Sequence, residues 1–123
     1  MRRILTVSAA ALALTLGLAA CSPSAGSTAT VEVAEGTIIL DVRTPGEYAG
    51  GHLDGAKLLD FNGGEVAAAL PTLDPDAQYL VYCRSGNRSA QAIALMQQAG
   101  ISNVTNLGSL EEAAAATGLP VVP

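Results

Sequence analysis

A compact apolar run, Tyr79 to Tyr82, stops at Cys83, and only Arg84, Ser85, Gly86, Asn87 and Arg88 separate it from a stretch of helical pattern. Four consecutive apolar residues read as a buried strand, and Ser89 to Ala99, with Ala90, Ile93, Ala94, Leu95 and Gln97, suits a helix. The same alternation extends along the chain. Thr37 to Val42 reads as a buried strand, Pro45 to Ala49 as a short helix, Ala56 to Leu59 as a strand and Gly64 to Leu70 as a helix closed by Pro71. After the Ser89 helix come a short Asn103 to Asn106 strand and a Leu110 to Thr117 helix. No internal repeat is visible. Short apolar strands alternating with helices predict an α/β domain with a mostly parallel central sheet flanked by helices on both faces. A site in such a domain lies beyond the carboxyl ends of the strands, and Cys83 falls just past one.

The position of Cys83 bears on its chemistry. A helix N-terminus offers unpaired backbone N–H groups and the positive end of the helix dipole, which favour a thiolate or an anionic substrate. Arg84 and Arg88 add positive charge within the same turn. These influences are expected to lower the thiol pKa below its free value of about 8.5, and the thiolate is the nucleophile. Gly86 would let the loop curl so that successive N–H groups point inward as an anion-binding nest. The competing reading is an inert buried cysteine followed by solvated arginines. Positive charges at a helix N-terminus oppose the dipole and are poor choices for stability alone, so the functional reading leads.

The N-terminus carries a separate signal. Met1, Arg2 and Arg3 form a positive n-region, Ile4 to Leu18 an apolar h-region, and Leu18, Ala19, Ala20, Cys21 resembles the lipobox of bacterial lipoprotein signal peptides. The expectation is a leader at residues 1–20, a tether rich in Ser, Thr, Ala and Gly at 21–30, and a domain at 31–123. By that resemblance Cys21 is lipidated, and the protein is anchored in the bacterial cell envelope facing outside the cytoplasm. A spanning helix is the weaker alternative, because the apolar run is short and lacks a cationic stop-transfer flank. Without the leader, 103 residues suffice for one small domain, expected as a monomer. Losing Arg2 and Arg3 leaves four cations (Arg43, Lys57, Arg84, Arg88) against eleven acids, a net charge of −7. That balance argues against nucleic acid and leaves the lipid as the only membrane contact. With Cys21 in lipid, Cys83 is a free thiol in an exposed compartment, and no intramolecular disulfide is possible.

Two motifs in order carry a further resemblance. Leu40 to Tyr48 (Leu-Asp-Val-Arg-Thr-Pro-Gly-Glu-Tyr) followed by Gly51 to Ala56 (Gly-His-Leu-Asp-Gly-Ala) is similar to the N-terminal signature of the rhodanese domain. Cys83 to Ser89 resembles its active-site loop, with the pattern Cys-Arg-x-Gly-x-Arg of catalytically competent members. The likeness runs from about Val31 to the end, where Gly118, Leu119, Pro120 and Val121 resemble the usual family ending. It departs in having no Trp in the C-terminal region, where Leu107 to Leu110 stands in.

The resemblance implies a rhodanese-like fold and a sulfurtransferase in which Cys83 attacks the outer sulfur of a donor such as thiosulfate. The resulting persulfide passes its sulfur to cyanide or a thiol. Backbone N–H groups of Arg84, Ser85, Gly86, Asn87 and Arg88 would hold the developing charge, and the two arginines would orient the donor. Asp41, Arg43 and Glu47 are expected to be structural supports. One of the first two would brace the loop while the other pairs with Glu47. His52, the single histidine, invites a general-base role, but its Gly-His-x-x-Gly-Ala segment in the family is a structural turn, and support is the preferred reading. Tyr48, Tyr79 and Tyr82 carry no mark that separates them from core or rim residues. No cofactor is implied: one histidine and one usable cysteine make no metal ligand set, and there is no nucleotide-binding loop. Two alternatives stay open. One is a non-catalytic sulfur- or partner-binding module. The other is a Cys-based phosphatase or arsenate reductase, whose loop would place Arg six positions after Cys, where this chain has Ser89.

Overall fold

The computed structural model of the protein describes residues 30–123. The expected leader at 1–20, all but the last residue of the 21–30 tether and the lipidation position Cys21 lie outside the described residues. The chain runs β1 (Ile38–Asp41), α1 (Pro45–Ala49), β2 (His52–Leu53), β3 (Lys57–Leu58) and α2 (Glu65–Ala69), which tightens into a 3-10 turn at Leu70–Thr72. Then follow β4 (Tyr79–Tyr82), α3 (Asn87–Gln98), β5 (Val104–Gly108), α4 (Leu110–Thr117) and β6 (Val121–Val122). Strands β3, β1, β4 and β5 lie in that order in one parallel sheet, with Ile38 to Asp41 opposite Tyr79 to Tyr82.

Every residue of β4 is buried, which is why this strand reads as an unbroken apolar run and not as an alternating one. Its side chains still alternate between two packing layers. Leu40, Val42, Tyr79, Val81 and Cys83 pack with Val66 of α2 and with Ala92 and Met96 of α3. Ile39, Leu80 and Tyr82 point the other way, onto Leu53 of β2 and Ala113 and Ala116 of α4. Helices therefore cover both faces, as the sequence pattern predicts.

Three details differ from expectation. Helix α3 begins at Asn87, two residues earlier than Ser89, so its first turn reaches into the cysteine loop. Pro71 does not stop the chain cleanly but sits within the 3-10 turn, where its fixed φ is tolerated. His52 lies in a strand and not in a turn: β2 pairs antiparallel with β6, His52 opposite Val122 and Leu53 opposite Val121. A pair of two-residue strands has no periodicity from which to read it.

The strand ends set up the site. Beyond β4 comes Cys83, beyond β1 come Val42 and Arg43, and β5 gives way to Ser109 and α4. A register shift in the β4–β5 pairing puts Gly108 opposite Tyr82, and the Cys83 N–H donates to the Gly108 carbonyl at 2.9 Å. The bulge brings Asn106 up beside the cysteine loop.

Candidate active site

The loop after β4 closes on its own sulfur. Gly86 donates its backbone N–H to Cys83 Sγ at 2.9 Å, and the Ser89 hydroxyl lies 3.4 Å from the same sulfur. Gly86 has φ +91, and an added Cβ would stand 3.3 Å from the Gly108 Cα, so both conformation and close approach call for glycine. Behind the sulfur, Ser89 Oγ donates to Asn106 Oδ1 at 2.7 Å. Asn106 Nδ2 donates to the Gly86 carbonyl at 3.0 Å, and Gly108 N–H donates to Asn106 Oδ1 at 2.9 Å. Asn106 thus ties the loop to the end of β5.

These donors act on the thiol. Burial pushes the Cys83 pKa up and is the largest single influence. Hydrogen bonding to the thiolate by the Ser89 hydroxyl, once that hydroxyl turns to it, and by the N–H groups of Ser89, Ser85 and Gly86 outweighs it, and the net direction is down. Cys83 is a free thiol and fully buried, because the loop folds over it.

The charged residues of the first motif form a brace, with partners other than those the sequence suggests. Arg43 does not pair with Glu47. Its guanidinium grips Asp41, with Nη2 at 2.6 Å from Oδ2 and Nε at 2.9 Å from Oδ1, and Nη2 also donates to the Gly51 carbonyl at 2.6 Å. The Tyr82 hydroxyl donates to Asp41 Oδ2 at 2.8 Å and accepts the Leu53 N–H at 3.0 Å. Both charges of the pair are buried, and Arg43 lies over the Tyr82 ring at 5.5 Å. Tyr82 therefore has a defined role in holding β1, β2 and β4 together.

Glu47 is claimed by its own helix and then by the loop. Thr44 caps α1, accepting the Glu47 N–H while Glu47 Oε1 accepts the Thr44 N–H, and this capping box turns the carboxylate across the helix start. There it receives Arg88 Nη1 at 2.9 Å and Nη2 at 3.1 Å, a fork-to-fork pair joining α1 to α3. Arg88 holds the Glu47 carboxyl down to about 2. Arg88 is thus engaged, while Arg84 is exposed and, among the described residues, has no carboxylate partner. Ser85 and Asn87 are exposed on the loop.

Beside the loop lies an open cavity of about 310 Å³, walled by Arg43, Glu47, Gly50, Arg84, Leu110 and Glu111. This is the size of a small-molecule site. Cys83 is not among its walls, and Arg84 is the link between cavity and loop. His52 stands apart from this chemistry. Its ring stacks on Tyr48 with centroids 3.6 Å apart, and Nδ1 lies 2.9 Å from the Tyr48 carbonyl, so its recorded contacts anchor β2 to α1.

Of the predicted residues, Cys83 and Gly86 come together at the sulfur, Arg88 and Glu47 beside it, and Asp41 and Arg43 beneath. Ser89 and Asn106 are the site residues that the sequence reading did not single out. The signal for Ser89 is a hydroxyl at the first buried position of the helix after the loop. For Asn106 it is a polar side chain at the carboxyl end of a parallel strand.

The same geometry has relatives. Residues 29–116 match the model of the Rhodanese-like domain, and the chain belongs to that family. It is 36% identical over 88 residues to a sulfurtransferase of Allochromatium vinosum, covering 72% of this chain and 80% of that protein. It is 42% identical over 74 residues to the thiosulfate sulfurtransferase GlpE of Pseudomonas entomophila, covering 60% of this chain but 66% of that protein. Among solved structures, a rhodanese with anions from E. coli superposes with a TM-score of 0.59 at 30% identity, covering 70% of this chain and 96% of that one.

Proposed function

We propose that the protein is a sulfurtransferase that carries sulfur on Cys83. The observation that carries this reading is the enclosed sulfur itself. A thiol that accepts a backbone N–H at 2.9 Å, faces a hydroxyl and sits four residues before a helix start is stabilised as an anion, whereas an inert core cysteine needs none of these donors. In the first half-reaction the Cys83 thiolate attacks the outer sulfur of thiosulfate, the S–S bond breaks, and sulfite leaves with the electron pair. In the second, cyanide or a thiolate attacks the outer sulfur of the persulfide, and the electron pair returns to Cys83. The exposed Arg84 draws the anionic donor from the adjoining cavity, and the loop shifts to admit it, since Cys83 is buried at rest. The N–H groups that now face Sγ then serve the outer sulfur.

The test is a thiosulfate:cyanide assay of the wild-type protein beside Cys83→Ser. The proposal expects thiocyanate from the first and none above background from the second. Equal, negligible turnover by both would leave a sulfur- or partner-binding module as the better reading.

We propose also that Cys21 is lipidated and that the protein is held outside the cytoplasm. The support is the sequence alone: the n-region, h-region and Leu-Ala-Ala-Cys junction. Two or more acyl chains give stable anchoring, at about 0.8 kcal/mol per buried methylene. A tether of this length and composition would let the domain range on the order of 15 to 18 Å from the surface. Cys21→Ala should release or strand the precursor in cell fractionation, and wild-type protein that is unmodified and cytoplasmic would refute the anchor.

A further inference from the structure

The hydrogen bonds behind the sulfur cannot all be made in both ionisation states of Cys83, and the proton count says which must change. Asn106 Oδ1 is fixed as the amide oxygen because it accepts the Gly108 N–H at 2.9 Å, while Nδ2 donates to the Gly86 carbonyl. An amide oxygen brings no proton, so the 2.7 Å contact between Ser89 Oγ and Asn106 Oδ1 uses the single hydroxyl proton of Ser89. The 3.4 Å contact between Ser89 Oγ and Cys83 Sγ must then be made with the thiol proton. When Cys83 ionises, that proton is gone, and a hydroxyl lone pair would face a thiolate in a buried site.

We infer that Ser89 is a positioning residue whose hydroxyl swings between Asn106 and the Cys83 sulfur as charge on that sulfur comes and goes. With the thiol, or with sulfur loaded, Ser89 donates to Asn106; with the thiolate it donates to Sγ. Asn106 is the acceptor that takes the proton back, and it tolerates the loss because Oδ1 keeps the Gly108 N–H. Asn106 is exposed and its Oδ1 is never left without a donor, so the swing costs little. The charged groups around the sulfur are paired or exposed. Arg88 of α3 is met by Glu47 of α1, Arg43 and Asp41 below the loop are met by each other, Arg84 is exposed, and Glu112 of α4 lies against Gly108.

The consequence for turnover rests on the proposed sulfur transfer. In the discharge step an acceptor attacks the outer sulfur, the S–S bond breaks, and the electron pair remains on Sγ, so the leaving group is the Cys83 thiolate. The Ser89 hydroxyl meets the charge as it forms there and not before, which is the kind of interaction that lowers the barrier of the step.

The test uses the full-length protein in detergent, with Cys83 alkylation by iodoacetamide followed on its own peptide by mass spectrometry across pH. Ser89→Ala should move the midpoint upward by about one pH unit, which is about tenfold slower alkylation near neutrality. Above the midpoint the variant should react as fast as wild type or faster, because a more basic thiolate is the better nucleophile. A merely structural lesion would depress the alkaline rate too. Protein loaded with thiosulfate should discharge to cyanide about tenfold more slowly in Ser89→Ala, and Ser89→Thr should restore the midpoint. An unshifted midpoint in a folded Ser89→Ala protein overturns the inference. If that variant does not fold, the wild type decides by NMR: the Asn106 side-chain amide should titrate with the Cys83 midpoint, and an Asn106 signal flat across it overturns the inference equally. Failure of wild type to take up sulfur refutes the proposed transfer and leaves the alkylation and NMR arms standing.

Discussion

At Cys83 two opposing effects meet, burial against hydrogen bonding, and the second prevails. The thiol should therefore ionise below its ordinary value, and the alkylation profile of wild-type Cys83 should show an inflection under about 8.5. An inflection well above that value would mean that burial dominates. Gly86 is the residue on which the enclosure depends. Gly86→Ala forces a side chain into φ +91 and against Gly108, so the N–H at 2.9 Å from sulfur should be lost and sulfur transfer should fall by about tenfold or more. Wild-type turnover in that variant would contradict the loop account. The Asp41–Arg43 pair has a different character, being buried and held by Tyr82 and Gly51. Arg43→Met leaves a buried carboxylate uncompensated, and denaturant unfolding should register a loss of about 3 to 5 kcal/mol. A loss under about 1 kcal/mol would show that solvent reaches the pair.

At the scale of elements, α1 joins the sheet to the cysteine loop. Its capping box orients Glu47, and Glu47 holds Arg88 at the start of α3, so five residues of helix fix the position of a residue 41 positions away. The folded pKa of Glu47, about 2, lies below its unfolded value, so its contribution is complete above about pH 5 and drains away as pH falls toward 2. Because the pair is partly exposed, that contribution is about 1 kcal/mol or less. Comparing acid unfolding of wild type and Glu47→Gln should show stability curves that converge below pH 3, and a constant gap at all pH would contradict this. Much of the element pattern is legible in the chain, because β4, α1 and α4 carry unbroken apolar runs, an Asp-Val-Arg-Thr-Pro start and an alanine-rich helical stretch. What is not legible depends on tertiary partners. The β2–β6 pair is too short to have a period, the Arg43 choice of Asp41 over Glu47 depends on Glu47 being turned by Thr44, and Asn106 reaches the site only through the bulge opposite Tyr82.

For the whole molecule, two packed faces of one parallel sheet leave the carboxyl ends of β1, β4 and β5 to converge on one sulfur and one cavity. The fold supplies the backbone N–H groups, α1 steadies the loop, and Arg84 is left as an exposed cation beside the loop in a chain of net charge −5. An anionic donor therefore meets local attraction at the loop against a net-acidic background, so uptake of thiosulfate should slow as ionic strength rises. The measurement that tests the central claim most directly is the intact mass of the protein after incubation with thiosulfate and removal of excess donor. The account predicts one added sulfur, mapped to the peptide containing Cys83, absent in Cys83→Ser and removed by cyanide or a thiol. A mass unchanged by thiosulfate, or a sulfur that cyanide and thiols leave in place, would contradict it.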